Sequence, residues 1–392
     1  MTGELFSGIE FDTGPKIPQC KKCGRGASPS PVYGGPGQGI LFVASHPSAQ
    51  DIEDGEPFSS ASNKVFRDAC RAVGISLTEN HTTYAVRCAG KAPTDAQALC
   101  CRPHFLTALE ETSPRVIVPV DETALRMVLS GIWKKDFGPF TTWTGYTIPV
   151  PDYAAWVCPV VSKSQIYKAK EHPVLVAELT QQLRTALQRT KKPLPKVRLD
   201  DLKKKVQIYT DPHEGGKRMM ELSKQSGLLA WDYETTGLKP DSKEQKIYSV
   251  SFCLNGKDTF ATLITPDNMP ALSAVLRSPL TKKIASNMKF EERWTMAKLG
   301  HRVKNWCWDT MLAAHLGDNR GRISSIKFQS FVRYGIGDYD SEVGPFLTSA
   351  PGTHLNRIYE ANPVDVLIYN GLDSLLEYMV SRDQVREMQD DS

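Results

Sequence analysis

At 392 residues the chain is too long for one compact core and suits two units of ordinary domain size. Apolar residues make up 40% and charged residues 23%, a globular composition that argues against disordered and membrane classes. The formal net charge of +4 permits a nucleic-acid partner without requiring one. No uninterrupted apolar run approaches ~20 residues, and the opening Met1-Thr-Gly-Glu-Leu-Phe6 lacks the basic-then-apolar layout of a signal peptide. A cytoplasmic protein with no membrane partner is therefore expected.

Taken in chain order, cysteine carries the first signal. Nine cysteines in a chain without a secretion signal argue against a disulfide framework and point to metal ligation. Cys20-Lys-Lys-Cys23 offers one chelating pair, and Cys88 with Cys100 or Cys101 offers a second. Thiolates so arranged hold either an iron–sulfur cluster or a structural zinc, and spacing alone does not separate the two. Cys70, Cys158, Cys253 and Cys307 lie among apolar residues and are expected to be buried small side chains. The Gly-rich Gly34-Gly-Pro-Gly-Gln-Gly39 lacks the Gly-Lys-Ser/Thr of a phosphate loop and is expected to lead into a strand at Ile40 to Ala44. A helix over His172 to Gln188 then runs into Arg189-Thr-Lys-Lys-Pro-Leu-Pro-Lys-Val-Arg198, whose two prolines resist helix and central strand alike. The reading is a domain over 1–190, a basic linker over 191–204 and a second domain over 205–392. Lys203 to Lys205 prolong the positive run, which either tracks phosphates or is simply solvated. No internal repeat is present.

The second half carries four short acidic stretches: Asp232-Tyr-Glu234-Thr-Thr-Gly-Leu238, Asn287-Met-Lys-Phe-Glu291, Asp309-Thr310 and Tyr369-Asn-Gly-Leu-Asp373. The first follows Gly227-Leu-Leu-Ala-Trp231, an apolar run of strand length, so Asp232 and Glu234 are expected to leave the strand end on one face. Tyr369 and Asp373 at i, i+4 share a helix face. Carboxylates converging in this way suit two hard cations, Mg²⁺ or Mn²⁺, ~3.5–4 Å apart, which is the requirement of phosphodiester hydrolysis. Asp309 reads either as a ligand or as a helix cap.

These stretches, in this order, resemble the proofreading 3′ to 5′ exonuclease domain of family A DNA polymerases, phage-type, within the DEDD (DnaQ-like) superfamily. The resemblance implies a ribonuclease H-like fold with a mixed sheet, and metal ligation by Asp232, Glu234 and Asp373. Glu291 stands where the family has Asp, and the extra methylene is larger than the ~0.5 Å that a catalytic site tolerates without backbone compensation. Tyr369 would orient or help deprotonate the attacking water. Asn287, with Thr235 and Leu238 after the first motif, would contact substrate.

Residues 17 to about 165 resemble the uracil-DNA glycosylase superfamily, most nearly its family 4. The matching pieces are Cys20-x-x-Cys23, Ile40-Leu-Phe-Val-Ala44, Glu53-Asp-Gly-Glu-Pro-Phe58, Tyr84-Ala-Val-Arg-Cys88, Cys101-Arg-Pro-His-Phe-Leu106 and Pro114-Arg-Val-Ile-Val-Pro-Val120. The resemblance implies a parallel α/β sheet and a 4Fe-4S cluster on Cys20, Cys23, Cys88 and Cys101, with zinc as the alternative. The catalytic positions depart from the family. Ala44-Ser-His-Pro-Ser48 replaces the water-positioning Gly-Glu-Ala-Pro-Gly, Tyr84 replaces the uracil-reading Asn, and Cys158-Pro-Val160 replaces the His-Pro-Ser loop. Phe58 keeps the base-stacking position, and His46 is the one candidate for a substitute polar catalyst.

Together the resemblances imply a degenerate glycosylase-like module that binds DNA or a partner, fused to an exonuclease acting on single-stranded 3′ ends. A separate DNA polymerase subunit is the implied partner, and replication in a bacterial or phage-infected cytoplasm the implied setting. Two competing readings are a purely non-catalytic assembly subunit and a bifunctional glycosylase and exonuclease of DNA repair.

Overall fold

The computed structural model describes residues 18–25, 28–349 and 352–390. The chain divides into two compact units, 1–196 with 331–335, and 197–330 with 336–392.

The first unit is built on strands β1 (Tyr33–Pro36), β2 (Ile40–Ala44), β3 (Asn80–Tyr84), β4 (Val116–Pro119), β5 (Ile148–Val150) and β6 (Ala155–Val157), in the order β1-β3-β2-β4-β6-β5. The central β3, β2, β4 and β6 are parallel and covered by helices on both sides, which is why β2 and β4 read as unbroken apolar runs rather than alternations. One face carries Ile40, Phe42, Val116 and Val118 against Phe66, Cys70, Leu179 and Leu183 of flanking helices. The expected parallel α/β sheet is present in these four strands, and the two edge strands, β1 and β5, run antiparallel to their neighbours. The Gly-rich stretch is likewise partly strand. Gly34 has φ +77, and a Cβ there would lie 2.1 Å from the Asn80 carbonyl oxygen, so the edge pairing requires a glycine.

In the second unit, β7 (Val206–Tyr209), β8 (Gly227–Thr235), β9 (Ile247–Leu254), β10 (Asp258–Leu263), β11 (Thr281–Ala285) and β12 (Trp306–Asp309) are ordered β12-β11-β8-β9-β10-β7. Only β9 is antiparallel to its neighbours. It turns into β10 through Asn255 and Gly256, both at positive φ, the backbone shape a tight hairpin needs. Along β8 the period-two alternation divides the strand's work. Leu229, Trp231 and Tyr233 enter an apolar core with Leu272, Leu276 and Trp294, while Asp232 and Glu234 are aligned with Ser249 and Ser251 of β9, on the side of the C-terminal helix Pro363–Asp390. That helix lies across β7 to β11. Gly371 allows the close approach, since a Cβ there would stand 2.3 Å from Val206 Cγ1.

Two sequence expectations change here. The end of the anticipated linker is helical, Leu199–Lys203, with Asp200 and Asp201 in its first turn and Leu202 buried. Cys70, Cys158 and Cys253 are buried as expected, but Cys307 is exposed, because it lies on edge strand β12.

Candidate functional site

β8 runs through Asp232 and Glu234 rather than ending before them, so both carboxylates leave the strand on one face. Asp373, from the C-terminal helix, joins them: one ligand oxygen from each of Asp232, Glu234 and Asp373 lies within 4.8 Å of the others. Tyr369 sits one helical turn before Asp373 and, like Tyr339, hydrogen-bonds its carboxylate. Glu291, on the helix Met288–Leu299, is 2% exposed and feels the charges of Asp309 and Glu234, though it lies outside the close triad. It is therefore not a surface residue; its neighbour Glu292 is spent on Val303 N and Trp306 Nε1.

Several residues without a sequence motif complete the centre. Asn370, fully buried, donates through Nδ2 to Asp232 Oδ2 at 2.8 Å, accepts from Ser249 Oγ at 2.9 Å, and receives Ser251 Oγ on its own carbonyl, which fixes the Asp232 carboxylate. Lys327 brings an ammonium to Asp340 at 2.8 Å and to 5.0 Å from the Tyr369 ring centre. Glu377 lies one turn after Asp373 and is 1% exposed. The only sequence signal for them is polarity at i, i+4 spacing on a helix with buried neighbours, a pattern a surface helix shares.

Asp309 is a cap. Its Oδ1 accepts from Met311 N, Leu312 N and Asn287 N, and its Oδ2 from Met288 N, all at 3.0 to 3.1 Å. One carboxylate thus fixes the start of its own helix, Thr310–Gly317, and the entry to the Glu291 helix, where Asn287 holds a left-handed φ of 63°. Thr235 turns its hydroxyl onto Gly237 O at 2.7 Å, whereas Leu238 is 76% exposed beside the centre's strand.

Burial and like charge act together here. The Asp232 carboxyl is held well above the usual range by desolvation, then by Glu377, Glu234, Asp373 and Glu291. Glu234 is pushed up to about 8 by burial and by Asp373. Lys327 and the two tyrosine hydroxyls counteract the burial of Asp373 without cancelling it. Glu291 Oε2 and Glu377 Oε2 are buried with no hydrogen-bond partner. An all-oxygen donor set with surplus negative charge and orphaned acceptors fits hard divalent cations.

In the first unit, the fold brings the four expected cysteines into one neighbourhood: the charges of Cys20, Cys23 and Cys88 act on Cys101. Cys20 and Cys23 begin and end a single helical turn, Cys88 follows β3, and Cys101 lies on the helix Asp95–Thr112. Arg25 ties the segments, donating to the carbonyls of Cys88 and Lys91 and to Gln97 Oε1, while Gln97 Nε2 donates to Cys23 O at 3.0 Å. Cys101 is buried, and Cys100 is half-buried.

The glycosylase-like loops are self-satisfied. Tyr84, 1% exposed, donates its hydroxyl to Asp51 Oδ2 and meets Tyr33 edge-on; Asp51 also accepts from Ser48 N, Ser59 N and Ser59 Oγ. Phe58, at a strained φ of 58°, packs on Phe42 and Phe66 at 4% exposure. Ser45 Oγ lies 2.9 Å from His46 Nδ1, and burial followed by Arg25 and Lys163 lowers the His46 pKa. Cys158 is buried in the core, and its thiol is pushed up to about 12 by burial.

Comparison with known proteins matches part of each unit to a family. Residues 31–185 match the Uracil DNA glycosylase superfamily, and residues 207–344 match the 3′-5′ exonuclease family. A search of curated proteins returns no match. Similar solved structures include Escherichia coli RNase D, an exoribonuclease involved in structured RNA processing, at 16% identity over 47% of this chain and 45% of that one, TM-score 0.35. Trypanosoma brucei RNase D in a GMP complex aligns at 17% identity over 47% and 59%, TM-score 0.38. Brucella melitensis NrnC with bound Mg²⁺ aligns at 17% over 43% and 77%, TM-score 0.31. The chain thus spans less than half the length of the E. coli RNase D chain. No helix among the described residues is long and apolar enough to cross a membrane. A nuclease domain implies nucleic-acid binding and divalent metal ions, and the acidic triad is in place. The chain joins a domain of the Uracil DNA glycosylase superfamily at residues 31–185 to a 3′-5′ exonuclease domain at residues 207–344.

Proposed function

We propose that the second domain shortens DNA from its 3′ end, with two Mg²⁺ or Mn²⁺ ions held by Asp232, Glu234, Glu291 and Asp373. The observation that carries this reading is the convergence of Asp232, Glu234 and Asp373 within 4.8 Å, the first half-buried and the other two buried. Such ions supply charge for the attacking and leaving oxygens. The protein's own groups do the positioning. Tyr369, one helical turn before Asp373 and hydrogen-bonded to its carboxylate, would orient or help deprotonate the attacking water. Asn370 keeps Asp232 in register, and Lys327 offsets the charge around Asp373. The exposed Leu238 offers an apolar surface for the terminal base, with Asn287 and Thr235 near the strand end.

DNA is favoured as substrate because the fused first domain matches a superfamily named for DNA. That domain acts, on our reading, as a binding module for single-stranded DNA or a separate polymerase subunit, in replicative proofreading in a bacterial or phage-infected cytoplasm. The saturated Tyr84–Asp51 network and a His46 kept neutral by burial leave little to read or expel a base. Cys20, Cys23, Cys88 and Cys101 would hold a 4Fe-4S cluster.

The test is a pair of 5′-labelled single strands, DNA and RNA of one sequence, in Mg²⁺ or Mn²⁺. Stepwise shortening of DNA, stopped by chelation and by Asp232→Ala or Asp373→Ala, is expected. Degradation of RNA alone would refute the DNA reading, and alkali-labile sites at uracil would show an active glycosylase.

A further inference from the structure

We propose that Glu377 is an additional ligand of the divalent-metal centre, working beside Glu291, so that the centre is built from five carboxylates rather than four. The inference rests on the exonuclease reading above. Glu377 follows Asp373 by one turn on the same face of the C-terminal helix. It is 1% exposed, and its two oxygens differ. Oε1 accepts from Ser286 N at 3.2 Å, at the end of β11, just before the Glu291 helix. Oε2 is buried with no partner, as is Glu291 Oε2. Glu291 is the first of the charges acting on Glu377, ahead of Asp373 and Asp309, and Glu377 heads those acting on Asp232.

Two orphaned acceptors from neighbouring carboxylates, beside a closed acidic triad, form a hard-oxygen site for a cation. Asp309 does not serve that purpose, since both its oxygens are spent on backbone N–H groups. The pairing also accounts for a glutamate at 291: a longer arm from one helix is met by a carboxylate from another. The competing explanation is that Glu377 is a neutral acid whose whole purpose is to hold Ser286.

Glu377→Gln separates the two, because the amide keeps the size and the acceptor for Ser286 N but loses the charge. Mn²⁺ binding to the full-length protein, without nucleic acid, is followed by the electron paramagnetic resonance of free Mn²⁺, alongside Asp232→Ala. Glu377→Gln is expected to weaken binding of one ion by about ten-fold or more, the scale of losing a group that holds or orients a metal. Glu377→Asp, one methylene shorter, is a second variant in case the first fails to fold, and is expected to show a smaller but measurable rise in Kd. Parent-like Mn²⁺ affinity in whichever variant folds, while Asp232→Ala loses binding, overturns the role of Glu377. Parent-like affinity in Asp232→Ala would instead overturn the metal reading of the whole centre.

Discussion

Asp309→Ala removes four backbone hydrogen bonds at once, from Met311, Leu312, Asn287 and Met288. Loss of the helix cap costs about 1 kcal/mol. The Asn287 and Met288 N–H groups lose their acceptor, at about 1–3 kcal/mol each if water does not replace it. Because this junction is only half-buried, water recovers part of that, and a total of about 3–4 kcal/mol is expected. At about 2–4 °C per kcal/mol for a unit of this size, the second domain's transition should fall by roughly 6–16 °C. Asp309→Asn keeps one acceptor oxygen and should lose less. Calorimetry measures the shift, and nuclease assays well below the transition should find activity reduced but present, because the Glu291 helix has lost its tether without losing a ligand. An unchanged transition with abolished activity would refute the reasoning and make Asp309 a metal ligand.

Lys283 is wholly buried, its Nζ donating to Ser278 O and Thr281 O, and burial lowers its pKa to about 8 from 10.5. The folded form therefore sheds its proton first, so stability attributable to this group should rise as pH climbs from about 8 to 10.5, and Lys283→Met should lack that rise; identical profiles in urea titrations would refute it. In the metal centre the sign is reversed. Glu234, raised from 4.5 to about 8, binds its proton more tightly when folded, so in chelator the second domain should lose stability from about pH 5 to 8, and Mn²⁺ should offset the loss; a chelated melting temperature that climbs over that range would contradict it. For the cysteines, anaerobically purified protein should be brown and absorb broadly near ~400 nm. Cys101→Ser should lose the colour and Cys100→Ser keep it; a colourless protein with one zinc per chain would replace the iron assignment.

The part of the centre that was legible in the sequence is the part that rests on backbone period. Asp232 and Glu234 are two apart on a strand, Tyr369 and Asp373 four apart on a helix, and each spacing fixes a shared face wherever the element lies. Asn370, Lys327 and Glu377 depend on which helix face is buried, and Tyr339 on the path of a loop, and a polar residue reads the same whether it points to solvent or to a carboxylate. Glu291 shows the ambiguity directly: beside Glu292 it reads as surface, yet it is buried while Glu292 binds backbone and indole N–H groups. Cys307 errs the other way, with apolar sequence neighbours but an edge-strand position that exposes it. The Gly-rich stretch read only as a lead into the strand at Ile40, because glycine usually breaks strands, whereas here its missing Cβ is what lets β1 pair with β3.

The C-terminal helix places Tyr369, Asn370, Asp373 and Glu377 on one rigid rod, seated on the sheet through the bare backbone of Gly371. The acidic centre consequently has no half-formed state along that rod: when it lifts, a candidate ligand, the Tyr369 hydroxyl and the Asn370 clamp on Asp232 depart together. Catalytic competence should then switch as a single cooperative unit, with amide exchange in the helix and loss of activity sharing one opening free energy.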